Sequence, residues 1–277
     1  MEYAFIGGLG IACCMGIAPV VTIVVRLTST RKAMTAGLVM QTGALVAASF
    51  ATQIWHLFLT QGVLFGIGLG FIFTSSVGVV SQWFLKKRSV ATGIAAAGSG
   101  IGGLIFSLST RAIIARFGTE WSFRIVAGVT FAVLVVCIAL TRDRNKHVNP
   151  NQRAFDLGLL RRSEFLVLLS WAFFSILGYV VLLFSMADFA RARGMSSTQG
   201  SVLVAVLNLG MSFGRPLVGL ASDRYGRINV ALIATFSTAV TCLALWLPAT
   251  GFALSAVFAL LNGAICGTVW TSIAPLW

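Results

Sequence analysis

The sequence predicts an all-α protein built into a membrane, and three observations carry that prediction. Hydrophobic residues make up 58% of the 277-residue chain and charged residues 10%, with a mean hydropathy of +0.95. Soluble domains hold about 45–50% apolar and about 25% charged residues. The apolar residues collect into nine runs, most of them close to the roughly 20 residues that cross about 30 Å of hydrocarbon. The third observation is the placement of charge. Lys and Arg number 20 against 7 Asp and Glu, yet they sit in short clusters between the runs. That is the pattern of membrane loops rather than of a nucleic-acid face, so the expected surroundings are a lipid bilayer and no nucleic-acid partner is expected.

The first run is Tyr3–Val25. Ala33–Ile54, Leu57–Leu85, Ser89–Thr110 and a shorter Ile125–Thr141 follow, the last reaching back to Trp121 if Arg124 snorkels to the interface. Arg142–Glu164 is the longest polar segment. Phe165–Ala187 and Gly200–Ser222 come next, and the uncharged last 50 residues are split into two spans by Pro248-Ala-Thr-Gly251. The expected organisation is a first helical half at residues 1–141, a cytoplasmic linker at 142–164 and a second half at 165–277. Phe155–Leu160 reads equally as a surface-lying segment beside Arg161 and Arg162 or as a plain connector. Trp55, Trp83 and Trp121 sit near span ends, as interface anchors do.

Orientation follows from the basic residues. The loops containing Arg26–Lys32, Lys86–Arg88, Arg142–Arg162 and Arg215–Arg227 hold fifteen of the Lys and Arg, and the alternate loops hold five. The basic side is therefore the cytoplasmic one. A multi-pass protein of the plasma membrane is expected, with an organelle membrane as the alternative. All five cysteines fall inside apolar runs without zinc-ligand or redox spacing, so neither a metal nor a cofactor is expected. All seven carboxylates lie in loops or at span ends. No acid pair is available for hydrolysis and no acidic relay for protons within the spans. The chain is not expected to be an enzyme, and no catalytic residue is assigned.

Shifting the chain on itself by 197 residues reveals a repeat. Gly66, Gly70, Thr74 and Ser75 meet Gly263, Gly267, Thr271 and Ser272, and Arg26 of the first charged loop falls on Asp223 of the last. Completing the repeat requires one further span at the start and two at the end. The nine spans then correspond to helices two to ten of twelve, the incomplete form of an architecture in which two related halves surround a midplane site.

The residues that complete this picture are Gly219-Leu-Ala-Ser-Asp223-Arg224-Tyr-Gly226-Arg227 and the glycine-rich Gly93–Gly103, preceded by Phe58–Gly62 and Gln82–Arg88. The first resembles the loop motif of the major facilitator superfamily. Together they resemble its fungal monocarboxylate porter-like family, across essentially the whole chain. The resemblance implies the major facilitator fold and alternating-access transport. Two departures stand out. The first-half loop, Arg26–Arg31, lacks the motif's Asp and Gly, and Met211 occupies the position where animal proton-coupled porters carry an Asp one turn before the residue matching Arg215.

Candidate functional residues fall into two groups. Gly219, Asp223, Arg224, Gly226 and Arg227 form a conformational latch or, on the bland reading, a fixed topological anchor. Gly226 suits a tight turn, Asp223 suits a helix N-terminus, and the arginines suit an anionic leaflet. The helix that Asp223 would face is expected among the spans the chain lacks. Arg215 lies about 10 Å inside the end of its run, where it either binds an anionic group of the solute or snorkels outward. Asn208, Thr74, Tyr179, Asn262 and Thr271 are the further solute-binding candidates, with Gln61 and Ser75 as cavity polars. Taken alone, each such residue is more often a hydrogen-bonding contact between helices. The expected function is transport of a small organic solute, an anion if Arg215 binds it, such as a monocarboxylate-like acid, a vitamin or a secondary metabolite. The alternative is a non-transporting remnant or a membrane interaction protein.

Overall fold

The computed structural model describes residues 2–84, 86–143 and 157–269, and every regular element among them is helical. Helix α1 (Glu2–Gly16) meets α2 (Ala18–Leu27) at a bend of 43°. Pro19, in the first turn of α2, has no N–H to continue the ladder of α1, which explains the break. Helix α3 (Thr30–Ala48) opens on Ser29, whose hydroxyl accepts the Lys32 N–H at 3.3 Å. A single turn, α4 (Ile54–Leu57), runs through a π-helical segment (Phe58–Leu64) into α5 (Phe65–Trp83). Helix α6 (Arg88–Leu140) is broken at Gly118, whose φ of 81° and ψ of 174° only glycine adopts readily. After a 3₁₀ turn at Leu157–Arg161 come α7 (Ser163–Ala192), α8 (Ser197–Tyr225), α9 (Arg227–Thr241) with a π-helical continuation to Trp246, and α10 (Phe252–Ile265).

Among the described residues, each of the nine expected runs contains helix. Six helical segments among the described residues are individually long and apolar enough to cross a bilayer, and the bent α1–α2 pair, taken as one span, makes a seventh. The runs assigned to α3 and α10 fall outside that set. Helix α3 begins with Thr30-Arg31-Lys32, and α10 has 14 residues. Boundaries differ in two places. The second run ends at Ala48 rather than Ile54, because Gln53 and His56 form a capping box that starts a new helix at Ile54. The fifth run extends back past Trp121 as an unbroken helix from Gly118. Most of the 142–164 connector, including Phe155 and Asp156, lies outside the described residues.

The chain forms two compact units. One comprises Met1–Trp83 and Thr110–Leu157, the other Phe84–Ser109 and Gly158–Trp277. In the first unit, Met34 and Leu38 of α3 pack with Ile138 of α6, flanked by Ile72 and Leu134. Arg31 donates to the carbonyls of Thr141 (2.8 Å) and Ala139 (3.3 Å) at the C-terminal end of α6, where a basic side chain complements the terminal C=O groups. The degenerate first-half loop therefore still contributes an arginine to the structure. In the second unit, Leu182, Met186 and Ala190 of α7, Leu203, Leu207 and Met211 of α8, and Phe258 and Ala259 of α10 form the core. The Trp246 ring stacks on Phe258 at 5.1 Å.

The offset of 197 seen in the sequence recurs in packing. A Cβ on Gly66 would lie 2.5 Å from the Gly10 carbonyl oxygen and 2.9 Å from the Cys13 Cβ. A Cβ on Gly263 would strike the Leu207 carbonyl oxygen and lie 3.3 Å from the Gly210 Cα. Residues 10 and 13, moved by 197, are 207 and 210. In each unit, then, the same glycine brings two helix backbones together.

Candidate functional site

Helix α8 is apolar outside and carries buried polar side chains among the apolar ones that face the core. Phe213, Leu217 and Leu220 are exposed, while Asn208, Arg215 and Ser222 are buried. A bilayer reverses the usual cost of exposing apolar surface, so the polar face must find its partners within the protein. A capping box between Ser196 and Gln199 starts the helix and fixes the rotation of that face.

Arg215 is 4% exposed and ten residues from the end of α8, roughly 15 Å at the helical rise and deeper than the run boundaries imply. Its Nη1 donates to the Ala96 carbonyl at 2.8 Å and to the Ser99 hydroxyl, both on the glycine-rich first part of α6. Its Nη2 reaches the Tyr179 hydroxyl of α7 at 3.4 Å and the Met211 sulfur at 3.9 Å. Two glycines make the room. A Cβ on Gly93 would lie 2.5 Å from the Arg215 carbonyl oxygen, and one on Gly267 would lie 2.7 Å from Nε. All these partners are neutral, and Nε itself has none. Among the described residues the one side-chain ion pair resolved is the exposed Asp188–Arg191 pair on α7, so no carboxylate neutralises Arg215.

Of the other candidates, Tyr179 joins Arg215 directly, and its hydroxyl also donates to Met211 Sδ at 3.7 Å. Asn208 does not contact the guanidinium. Its amide donates to the Val204 carbonyl at 3.0 Å and fills the space beside Gly103. Asn262 is fully buried and donates to the Thr241 hydroxyl at 2.8 Å, with Oδ1 left without a partner. Thr74 belongs to the first unit, where Gln41, Gln61 and Ser75 each retain a buried polar atom without a partner. Thr271 lies outside the described residues. Ser99 and Ala96 are the contacts that sequence reading missed. A serine hydroxyl and a main-chain carbonyl within a Gly/Ala-rich helix carry no signal by themselves.

The latch group surrounds the end of α8. Asp223 accepts the backbone N–H groups of Ser89 at 3.2 Å and Val90 at 3.0 Å. These are orphan donors of the first turn of α6, so Asp223 acts as a cap contributed by another helix. This overturns the expectation that its partner lies in a missing span: the partner is α6 itself. Gly219 permits the approach, since a Cβ there would lie 2.5 Å from the Ser89 carbonyl oxygen. Gly226 ends the helix with φ of 94° and ψ of 139°, a conformation that side chains with a Cβ resist. Arg224 is exposed and lies over the Tyr225 ring at 5.5 Å, while Arg227 is half-buried at the first position of α9.

Comparison with known proteins agrees with this architecture. The family model for the Major Facilitator Superfamily matches residues 2–277. The chain is 38% identical over 281 residues to the probable transporter MCH2 of Saccharomyces cerevisiae, covering all of this chain and 59% of that protein. It is 33% identical over 279 residues to the uncharacterized transporter ESBP6 of the same yeast, covering 96% of this chain and 41% of the relative. It is 30% identical over 284 residues to the fujikurins efflux protein of Gibberella fujikuroi, covering 99% of this chain and 61% of that protein. The chain thus spans about half the length of the curated relatives it matches. With a family match from end to end, a helical fold packed by small residues and a packing repeat at one offset, the chain belongs to the Major Facilitator Superfamily.

Proposed function

We propose that this chain forms the core of an alternating-access carrier for a small organic anion, with Arg215 receiving the acid group of the solute. The observation that carries the reading is a guanidinium at 4% exposure whose protein partners are all neutral and whose Nε has no acceptor. An ionised group within a span is costly and is retained for a purpose. A carboxylate supplies both the missing charge and the missing acceptors, in the bidentate geometry guanidinium favours. Tyr179 and Ser99 already touch Arg215 and would orient the same group. The names of fungal relatives, including an efflux protein for fujikurins, support transport as the activity. Monocarboxylates, vitamin-like acids and acidic secondary metabolites all fit the chemistry of Arg215.

The second part of the proposal is that the Asp223 contact belongs to one access state. It joins the end of α8 to the start of α6 through two hydrogen bonds at a helix N-terminus. A contact of that size is strong enough to bias a conformational equilibrium and weak enough to break. The basic loops face the cytoplasm in this reading, and the expected home is the plasma membrane.

The test is solute flux into vesicles containing only this chain. Saturable uptake of monocarboxylates that disappears in Arg215→Gln supports the proposal. Properly inserted protein that moves no organic anion refutes it and favours a non-transporting membrane protein.

A further inference from the structure

The first unit carries a charged feature that has no role in the proposal above. An open cavity of about 570 Å³ lies against the start of α3, lined by Arg31, Lys32, Thr35, Ala36, Val39 and Met40. Its two ends differ in chemistry. Arg31 and Lys32 form a cationic mouth. The remainder is apolar in effect, because the Thr35 hydroxyl donates back to the Arg31 carbonyl at 2.9 Å. Beyond the cavity the exposed face of α3 continues through Gly43 and Val46 to Ala47 without a further charge. A Cβ on Gly43 would meet nothing within 4 Å, so the strip dips between the exposed Val39 and Val46.

The mouth is held in place. Arg31 is fixed by the bonds of Nε and Nη2 to the Thr141 and Ala139 carbonyls, which leave Nη1 without a bond among the described residues. Lys32 is exposed, and its ammonium makes no ion pair among them. Asp143, two residues beyond Thr141, pairs with neither cation, since the ion pair resolved is Asp188–Arg191. A separate contact sets the depth. The Trp83 indole N–H donates to the Arg142 carbonyl at 3.0 Å, next along the chain from the carbonyl that takes Arg31. A half-exposed tryptophan marks the level of the lipid headgroups. Both cations therefore stand at that level, and the apolar strip lies in the acyl region.

We propose that this cavity holds one anionic phospholipid of the adjoining leaflet. Its phosphodiester sits between Arg31 Nη1 and the Lys32 ammonium, and one acyl chain lies along Ala36, Val39 and Gly43. Charge-assisted bonds from the two cations complement the headgroup, and the uncharged strip complements the chain. A soluble anion would leave the strip uncovered. A zwitterionic lipid such as phosphatidylcholine would bring a third cation to a place that already has two. The site depends neither on Arg215 nor on transport, because binding is read on the chain at rest.

The experiment places the full chain in nanodiscs of phosphatidylcholine mixed with phosphatidylglycerol, whose phosphodiester is its only charge. Lipid retained after release into detergent is counted by native mass spectrometry. Lys32→Gln removes an exposed cation that pairs with no other side chain, and Ala36→Trp fills the strip without changing charge. Lys87→Gln, in the separate basic cluster before α6, controls for general attraction between a basic surface and an anionic leaflet. The preference for phosphatidylglycerol is expected to fall about fivefold in Lys32→Gln and at least as far in Ala36→Trp, and to stay within about twofold in Lys87→Gln. All three positions are exposed, so the fold is retained, and Lys32→Gln against Lys87→Gln decides the matter even if the bulkier variant melts. The proposal is overturned if the parent chain shows no preference, if Lys32→Gln or folded Ala36→Trp leaves the preference unchanged, or if Lys87→Gln lowers it as much as Lys32→Gln does.

Discussion

The carboxylate of Asp223 accepts the backbone N–H of Val90 at 3.0 Å, across 133 residues of chain. Its other oxygen takes the N–H of Ser89. One side chain thereby satisfies two donors that α6 cannot satisfy itself. Asp223→Asn removes the charge at this helix N-terminus and one acceptor, at a cost of about 1 kcal/mol. Amide exchange at Ser89 and Val90 is expected to accelerate about fivefold, and solute turnover to change while surface levels stay the same. Unaltered exchange would show the contact to be incidental.

A second substitution approaches the same bond from the other helix. Proline is tolerated in the first turn of a helix and lacks the N–H that Ser89 donates. Ser89→Pro and Asp223→Asn should therefore be non-additive in stability, with a coupling of about 0.5–1.5 kcal/mol in a double-mutant cycle. Chemical denaturation in mild detergent measures it. Strict additivity would mean that the two residues do not act on each other.

Close approach is testable separately from charge. Gly219→Ala places a methyl 2.5 Å from the Ser89 carbonyl oxygen, and Gly93→Ala places one 2.5 Å from the Arg215 carbonyl oxygen. Both obstructing atoms are backbone, so the helices must part. Each variant should lose about 1–3 kcal/mol, read as a lower melting temperature. A neutral outcome at either position would require α6 and α8 to stand further apart than described.

Arg215→Lys and Arg215→Gln separate charge from geometry. Lysine keeps the charge but replaces the planar fork, which reaches Ala96 and Ser99 from one nitrogen and Tyr179 from another, with a single nitrogen. Glutamine keeps some hydrogen bonding and loses the charge. For an anionic solute, Arg215→Gln should raise the half-saturation concentration by about tenfold to a hundredfold, with Arg215→Lys intermediate. Equal loss in both variants, with normal insertion, would assign Arg215 to holding helices rather than solute.

Much of the helical order was legible because a bilayer demands long apolar runs, and those runs are visible without any fold. The repeat was legible too, since the glycines that set its register are also the ones that meet backbone. Legibility failed where a partner came from elsewhere in the chain. Nothing around Asp223 names Ser89 as its counterpart, because a backbone N–H has no residue type. Nor does Ala96 advertise that its carbonyl will meet a guanidinium. Depth also misled: the run containing Arg215 stops at Ser222 by hydropathy, whereas the helix continues through Asp223-Arg224-Tyr225, since hydrogen bonding rather than apolarity decides where a helix ends.

The duplicated packing makes each half a replicate of the other, and the replicates have diverged at one notch. Beside Gly70 the space left by a missing Cβ is taken by a methyl of Ile17, and beside Gly267 by the guanidinium of Arg215. The same glycine, in the same register, thus admits an aliphatic group in one half and a full positive charge in the other. The pair of helices at Gly70 packs without a charge in the notch, so the arginine beside Gly267 is not what the packing requires. Ala18 stands where the repeat would put a second arginine. The frame is symmetric, and its charge is not.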